Sequence, residues 1–207
     1  MNWLHYDSSL SLFIRRIGNL ILLNICHILC CLPVVTIGVS TAALYAACMC
    51  DDESTWPVAE YFKALKSNFR KATLLWLIIL VPIVFLAVSF YLAGTLRIPG
   101  FQIIQLILLV LALVLLSTLS FLFALQARYE NTVKQTLRNA LVFGLCAIIP
   151  GLLMQVLALL PVIIFYLDLN LFVYLFAFWS VIGFSGTVKI NSKVCLIIFN
   201  RLVPNNQ

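Results

Sequence analysis

Charged residues are missing from four long stretches of the chain: 73–96, 101–127, 141–167 and 169–188. A bilayer core about 30 Å thick takes about 20 apolar residues per helix, and each stretch meets that length. Inside them the apolar residues fall on every face, as in 106–116, so the alternation that a membrane β-barrel needs is absent and helices are predicted. Arg97-Ile98-Pro99-Gly100 joins the first two as a tight hairpin, and Asp168 with Asn170 joins the last two just as closely.

The first third of the chain is less regular. Residues 17–50 carry no charge, which is too long for one ordinary crossing and short for two. Pro33 and Gly38 interrupt the run, so the pattern predicts a first helical hairpin over 17–50. It has a helix at 17–32, a turn at 33–38 and a short return segment at 39–50 that either spans or re-enters. Cation placement favours a returning hairpin, because loops on the cytoplasmic side are enriched in Lys and Arg. Arg15 and Arg16, then Lys63, Lys66, Arg70 and Lys71, then Arg128, Lys134 and Arg138, then Lys189, Lys193 and Arg201 then share one side. Arg97 alone stays on the other, and both termini are expected in the cytoplasm.

Composition fits this pattern and excludes a soluble domain. Of 207 residues 64% are hydrophobic and 10% charged, against roughly 45–50% and about 25% in soluble proteins. The expected fold class is all-α: a polytopic transmembrane helical bundle with about six membrane helices, the second short or re-entrant, and amphipathic cytoplasmic helices. The first apolar stretch is read as a membrane helix and not a cleavable signal, since mixed residues precede it and further spans follow. Ala46-Ala47-Cys48 is a weak match to a lipoprotein cleavage site, with Tyr45 where an aliphatic residue belongs. The net charge of +6 follows the positive-inside rule and calls for no nucleic-acid partner.

Sliding the sequence against itself by 68 positions aligns Tyr61 with Tyr129, Leu65 with Val133, Lys66 with Lys134, Phe69 with Leu137, Arg70 with Arg138, Ala72 with Ala140 and Pro82 with Pro150. In each copy an apolar stripe runs beside a basic pair at i, i+4, which is an amphipathic helix leading into a Pro-containing membrane helix. Residues 58–127 and 128–188 thus form a weak parallel internal repeat, with a third echo at Phe184, Val188, Lys189 and Lys193. One reading of the amphipathic segments is interfacial, with aromatics at the lipid boundary and cations near anionic headgroups. The other is a partner-docking surface made of Tyr61, Leu65, Lys66, Phe69, Arg70, Tyr129, Val133, Lys134, Leu137 and Arg138. The two are compatible.

The stretch 24–77 carries Leu32-Pro33-Val34-Val35-Thr36-Ile37-Gly38, Ala42-Ala43-Leu44-Tyr45, Tyr61-Phe62-Lys63-Ala64-Leu65-Lys66-Ser67-Asn68-Phe69-Arg70-Lys71-Ala72-Thr73 and Trp76. With these elements it resembles the YesL family of bacterial integral membrane proteins, a domain of unknown function. The resemblance implies a small multi-pass protein of the bacterial cytoplasmic membrane, encoded near carbohydrate ABC importers and sugar-responsive regulators. It brings no enzymatic activity and no catalytic residues.

Little else in the chain suggests chemistry. Cys26, His27, Cys30 and Cys31 share one predicted helix, a spacing that sets thiolate and imidazole donors on adjoining faces, and Cys48 or Cys50 is placed to complete a four-ligand site. No Cys-x-x-Cys pairs frame such a site, and cysteine packs as a small apolar residue, so neither metal nor cofactor is expected. His27 is the one imidazole expected inside the membrane; without an Asp or Glu in any predicted span, it is expected neutral and bonded to Asn24 or a helix carbonyl. Gln102, Gln105, Gln126 and Gln155, with Asn19 and Asn24, either line a polar path or join helices. The small residues Ala42, Ala43, Ala46, Ala47, Ser180, Gly183, Ser185 and Gly186 permit close packing. Pro161, like Pro82 and Pro150, frees backbone carbonyls within a span.

No hydrolase, phosphate-loop or nucleotide motif is present, which disfavours an enzyme. Two functions from different classes follow. One is an accessory subunit whose amphipathic segments contact an ABC importer permease or a membrane sensor kinase. The alternative is a small stand-alone transporter or channel. A homo-oligomer is compatible with both.

Overall fold

The structure, a computed structural model, describes residues 9–50, 56–95 and 101–202. The hairpin at Pro99-Gly100 and the acidic run at Asp51 lie outside the described residues. Among the described residues eight α-helices occur in order: α1 (Ser9–Cys31), α2 (Ile37–Met49), α3 (Pro57–Thr95), α4 (Phe101–Arg128), α5 (Val133–Cys146), α6 (Ile148–Leu167), α7 (Leu169–Phe178) and α8 (Phe184–Leu202). A 3₁₀ turn at Val34–Thr36 precedes α2, and a π-helical turn at Trp179–Gly183 joins α7 to α8. No strand occurs among the described residues. Among the described residues five segments are long and apolar enough to cross a membrane, and Val34–Met49 is a shorter apolar sixth. The chain is an all-α polytopic membrane bundle whose second segment is short.

Helix α2 is the hub. Its 13 residues rise about 20 Å, short of a bilayer core of about 30 Å. Gly38, Val39, Ser40, Ala42, Ala43, Leu44, Tyr45, Ala47 and Cys48 are all buried, so the helix is enclosed on nearly every side. It packs against α3, α4 and α8, whose Tyr61, Leu75, Phe121, Leu122, Cys195 and Phe199 belong to the same core. The expected turn at 33–38 is shorter than the sequence suggested, because the chain is helical again from Ile37. Gly38 is a packing residue rather than a turn residue: a Cβ there would lie 2.5 Å from Trp76 Cβ and 2.9 Å from the Ala72 carbonyl oxygen. Alongside it the Trp76 indole donates to the Val34 carbonyl at 2.9 Å.

The two repeat copies have different backbones. In the first, the cationic segment and the apolar one form a single 39-residue helix that continues through Pro82. In the second, Arg128 ends α4, Thr132 caps α5 through a capping box with Gln135, and α5 stops at Cys146. The break at Ala147 (φ −125°, ψ 47°) separates α5 from α6, so the expected single span over 141–167 is two helices. Pro150 lies in the first turn of α6, where its missing N–H costs nothing, and its ring opposes continuation from Cys146 four residues earlier. Two α4 hydroxyls bracket the break: Ser117 donates to the Gly144 carbonyl and Ser120 to that of Gly151, each at 2.8 Å. A Cβ at Gly144 would meet Thr118 backbone at 2.9 Å, so the close approach of α4 and α5 requires glycine.

Outside this core, large apolar side chains face outward. Val81 is 69% exposed, Ile103 68%, Ile149 70% and Tyr174 80%. On a membrane bundle these faces meet lipid, where exposure of hydrocarbon carries no penalty.

Candidate functional site

The ten expected docking positions divide by burial. Tyr61 is wholly buried, and Leu65, Tyr129, Val133 and Leu137 are half-buried against the core. These five hold the helices in place. Lys66, Arg70, Lys134 and Arg138 are exposed, and Phe69 is 45% exposed. The outward surface is therefore cationic with one aromatic ring, and narrower than the apolar stripe of the sequence suggested.

One buried side chain fixes both cationic pairs. Gln126, near the end of α4, donates through Nε2 to Asn68 Oδ1 at 2.9 Å and accepts from the Thr136 hydroxyl at 3.2 Å. Asn68 and Thr136 are themselves 68 positions apart in the chain. Lys66 and Arg70 stand two residues either side of Asn68, and Lys134 and Arg138 stand likewise around Thr136. At about 100° per residue, two positions away is the opposite face of a helix, so the bridge turns the bonded face inward and the cations outward. Burial follows the same spacing: Ala72 and Ala140 are both buried, as are Leu75 with Phe143 and Leu86 with Met154. The sequence comparison missed Asn68 and Thr136 because they differ in identity, although the common spacing was there as a signal.

A second polar cluster ties α1, α2 and α3 together. The Ser40 hydroxyl lies 2.8 Å from His27 Nδ1, 2.8 Å from the Tyr61 hydroxyl and 3.3 Å from the His27 carbonyl. Cys31 Sγ is 3.6 Å from His27 Nε2. The His27 imidazole thus meets Ser40 where Asn24 or a helix carbonyl was expected, because α2 brings a hydroxyl to it from across the hairpin. No group of three His, Cys, Asp or Glu among the described residues is arranged to hold a metal ion.

Asn24 serves the π-helical turn instead. Its amide donates to the carbonyls of Trp179 at 3.1 Å and Ser180 at 2.8 Å, and its Oδ1 accepts from the Ser185 N–H at 2.9 Å. All three partners are backbone groups in or next to the π-helical turn. Lys189, which the third repeat echo placed among the loop cations, belongs to α8. Its ammonium donates to the Cys48 carbonyl at 2.6 Å, at the end of α2 where carbonyls lack helical partners and a positive charge is favoured. Gln155 accepts from Ser120 at 3.1 Å. Of the small residues, Gly186 has nothing within 4 Å of where a Cβ would stand, so it mediates no close approach.

A family model described as "Protein of unknown function, DUF624" matches residues 20–90. That region covers about half of α1, all of α2 and most of α3, including the Gly38 contact and the first cationic pair. No curated protein matches the chain, and no solved structure does.

Proposed function

We propose that this chain is a non-enzymatic accessory subunit of the YesL kind, resident in the bacterial cytoplasmic membrane. Its α3 and α5 cations and Phe69 engage the cytoplasmic face of an ABC importer permease or membrane sensor kinase serving saccharide uptake. One observation carries this reading: the Gln126 bridge between Asn68 and Thr136 holds two equivalent cationic faces outward together. A surface made only of mobile loops offers a partner no such fixed pattern. Three of the six polar side chains that a stand-alone transporter could use for a path are engaged internally. Asn24 bonds the π-turn, Gln126 the α3 and α5 helices, and Gln155 the Ser120 hydroxyl.

The test is native co-purification through a C-terminal tag in mild detergent, comparing wild type with Lys66→Glu/Arg70→Glu and Lys134→Glu/Arg138→Glu. A stoichiometric permease or kinase that is lost in either pair is the expected result. Leu65 is unsuitable for this test because it packs on the core, and a charge there would unfold rather than unbind. If the wild-type chain emerges alone, the accessory reading fails and solute flux in proteoliposomes becomes the next measurement. A partner retained equally by all variants overturns the docking face.

A further inference from the structure

Between α7 and α8 the chain winds as a π-turn over Trp179–Gly183. A π-turn bonds each N–H to the carbonyl five residues back instead of four, so it holds one residue more than the α-helix it interrupts. The two sides of this turn are fixed unequally. On the α8 side Ser185, Asn191, Ser192, Cys195 and Phe199 are buried in the bundle. On the other side no residue of α7 is buried. That helix packs against α6 and the π-turn, with the Phe165 and Phe172 rings 5.1 Å apart. Every residue from Leu171 to Phe178 is apolar. Any face of α7 therefore suits either α6 or lipid, whose tails are as apolar as leucine.

The π form leaves one N–H unpaired and depends on two other residues. The Trp179 indole Nε1 is enclosed and finds no acceptor among the described residues, which is unfavourable for a buried donor. Because the atom is enclosed, only a movement of the indole itself can pair it. Gly183 leaves the ring its place, since a Cβ there would stand 2.6 to 2.9 Å from three of its atoms, well inside the roughly 3.5–4.0 Å at which carbon atoms pack. In a regular α-helix, side chains four residues apart have Cβ atoms about 5–6 Å apart and fit beside each other. Asn24 of α1, itself wholly buried, holds the turn by three bonds to Trp179, Ser180 and the Ser185 N–H. A regular α-helix would direct that N–H to the carbonyl four residues back, so straightening the turn takes it from Asn24.

We propose that the π-turn is a two-state joint with Asn24 as its latch. Straightened to regular α-helix with the same residues, it turns α7 by about 100° and advances it by about 1.5 Å, one residue's share of a helix, while α8 stays in the core. Each residue of α7 then takes the angular place of a chain neighbour. Phe172 and Leu175, half-buried in the π form, move to places like those of Val173 and Tyr174, which are 63% and 80% exposed. The opposite sense of rotation gives them the places of Leu171 and Phe176, which are exposed as well. The joint rests on the membrane fold and is independent of the docking face.

The test incorporates 5-fluorotryptophan into the full chain in phosphatidylethanolamine and phosphatidylglycerol nanodiscs and assigns the Trp179 fluorine resonance by its loss in Trp179→Phe. Asn24→Leu removes the latch; at about threefold for each membrane hydrogen bond, its three bonds shift the ratio of the two states about twentyfold. Gly183→Ala denies the ring its place in the π form alone. Both variants are expected to move the Trp179 signal to one common new position while the Trp76 signal stays. Saturation at that position is expected to reduce the wild-type Trp179 signal, as for a minor state in exchange. A diazirine phospholipid, with cross-links mapped by residue in a mass spectrometer, is expected to label Phe172 and Leu175 more strongly in both variants than in the wild type.

A Trp179 signal unmoved in both variants, or moved to two different positions, overturns the two-state joint. So does a shift that Trp76 shares, which marks general loosening of the bundle. A common new position without added labelling at Phe172 and Leu175 overturns the rotation of α7. Should either variant fail to fold, as judged by thermal unfolding, the other and the wild-type saturation measurement decide, and a wild-type signal that no saturation reduces overturns the proposal.

Discussion

Replacing Gly38 with alanine opposes two effects of known sign. In an open helical position the change stabilises by roughly 0.5–1 kcal/mol, because glycine loses more backbone freedom on ordering. At Gly38 the new methyl would sit 2.5 Å from Trp76 Cβ and 2.9 Å from the Ala72 carbonyl oxygen. Carbon atoms pack at about 3.5–4.0 Å, so α2 must withdraw from α3 by about 1 Å. Overpacking of this kind costs typically about 1–3 kcal/mol. The shift also stretches the Trp76 to Val34 bond of 2.9 Å, which is worth about 0.6 kcal/mol in a membrane setting. The net expectation is destabilisation of about 1–2 kcal/mol. Gly186→Ala is the matched control, since nothing lies within 4 Å of its Cβ position, and it should show only the stabilising effect. Both variants are compared by reversible denaturant unfolding in one detergent. If Gly38→Ala is as stable as Gly186→Ala, the close approach of α2 and α3 is wrong.

Three further outcomes follow from the polar contacts. Asn24→Leu removes three bonds to the π-turn and is expected to cost about 1–3 kcal/mol in the same unfolding measurement, with faster amide exchange at Ser185. Gln126→Leu and Asn68→Leu should couple, their double variant costing less than the sum of the two by about 0.6 kcal/mol, as read from a double-mutant cycle. Asp168→Ala removes the α7 cap, where Oδ1 accepts from the N–H groups of Asn170 and Leu171. It should cost about 1 kcal/mol, whereas Asp168→Asn should cost much less.

The membrane class and the segment order were readable from sequence because they depend on where charge is absent, a property of long stretches that no single contact reverses. Boundaries were less readable wherever a contact decides. Gly38 looks like a turn former until α3 is seen to lie against it. Pro82 and Pro150 occupy equivalent places in the repeat, yet only the second coincides with a break, one that Ser117 and Ser120 reach from α4. The outward placement of Lys66, Arg70, Lys134 and Arg138 was visible in their spacing. Which side of each apolar stripe faces inward was not, because a stripe at i, i+4, i+8 packs equally well on lipid, on a partner or on the chain's own core.

Tyr61 shows how that ambiguity resolves and how to test it. Its hydroxyl and His27 Nδ1 both meet the Ser40 hydroxyl at 2.8 Å, and Tyr61 is wholly buried. Ser40→Ala strands two buried polar groups at once, at about 1–3 kcal/mol for each group left unsatisfied. Tyr61→Phe removes one partner and leaves Ser40 bonded to His27, so it should cost about 1 kcal/mol. In the double variant the stranded phenol is gone, and the total should fall below the sum of the single changes by at least about 1 kcal/mol. Additive costs would mean that the three groups do not form one cluster. The same Tyr61→Phe protein separates packing from docking: its unfolding should shift while the amount of co-purified partner stays at the wild-type level. Loss of the partner with unchanged stability would return Tyr61 to the docking surface and contradict its burial.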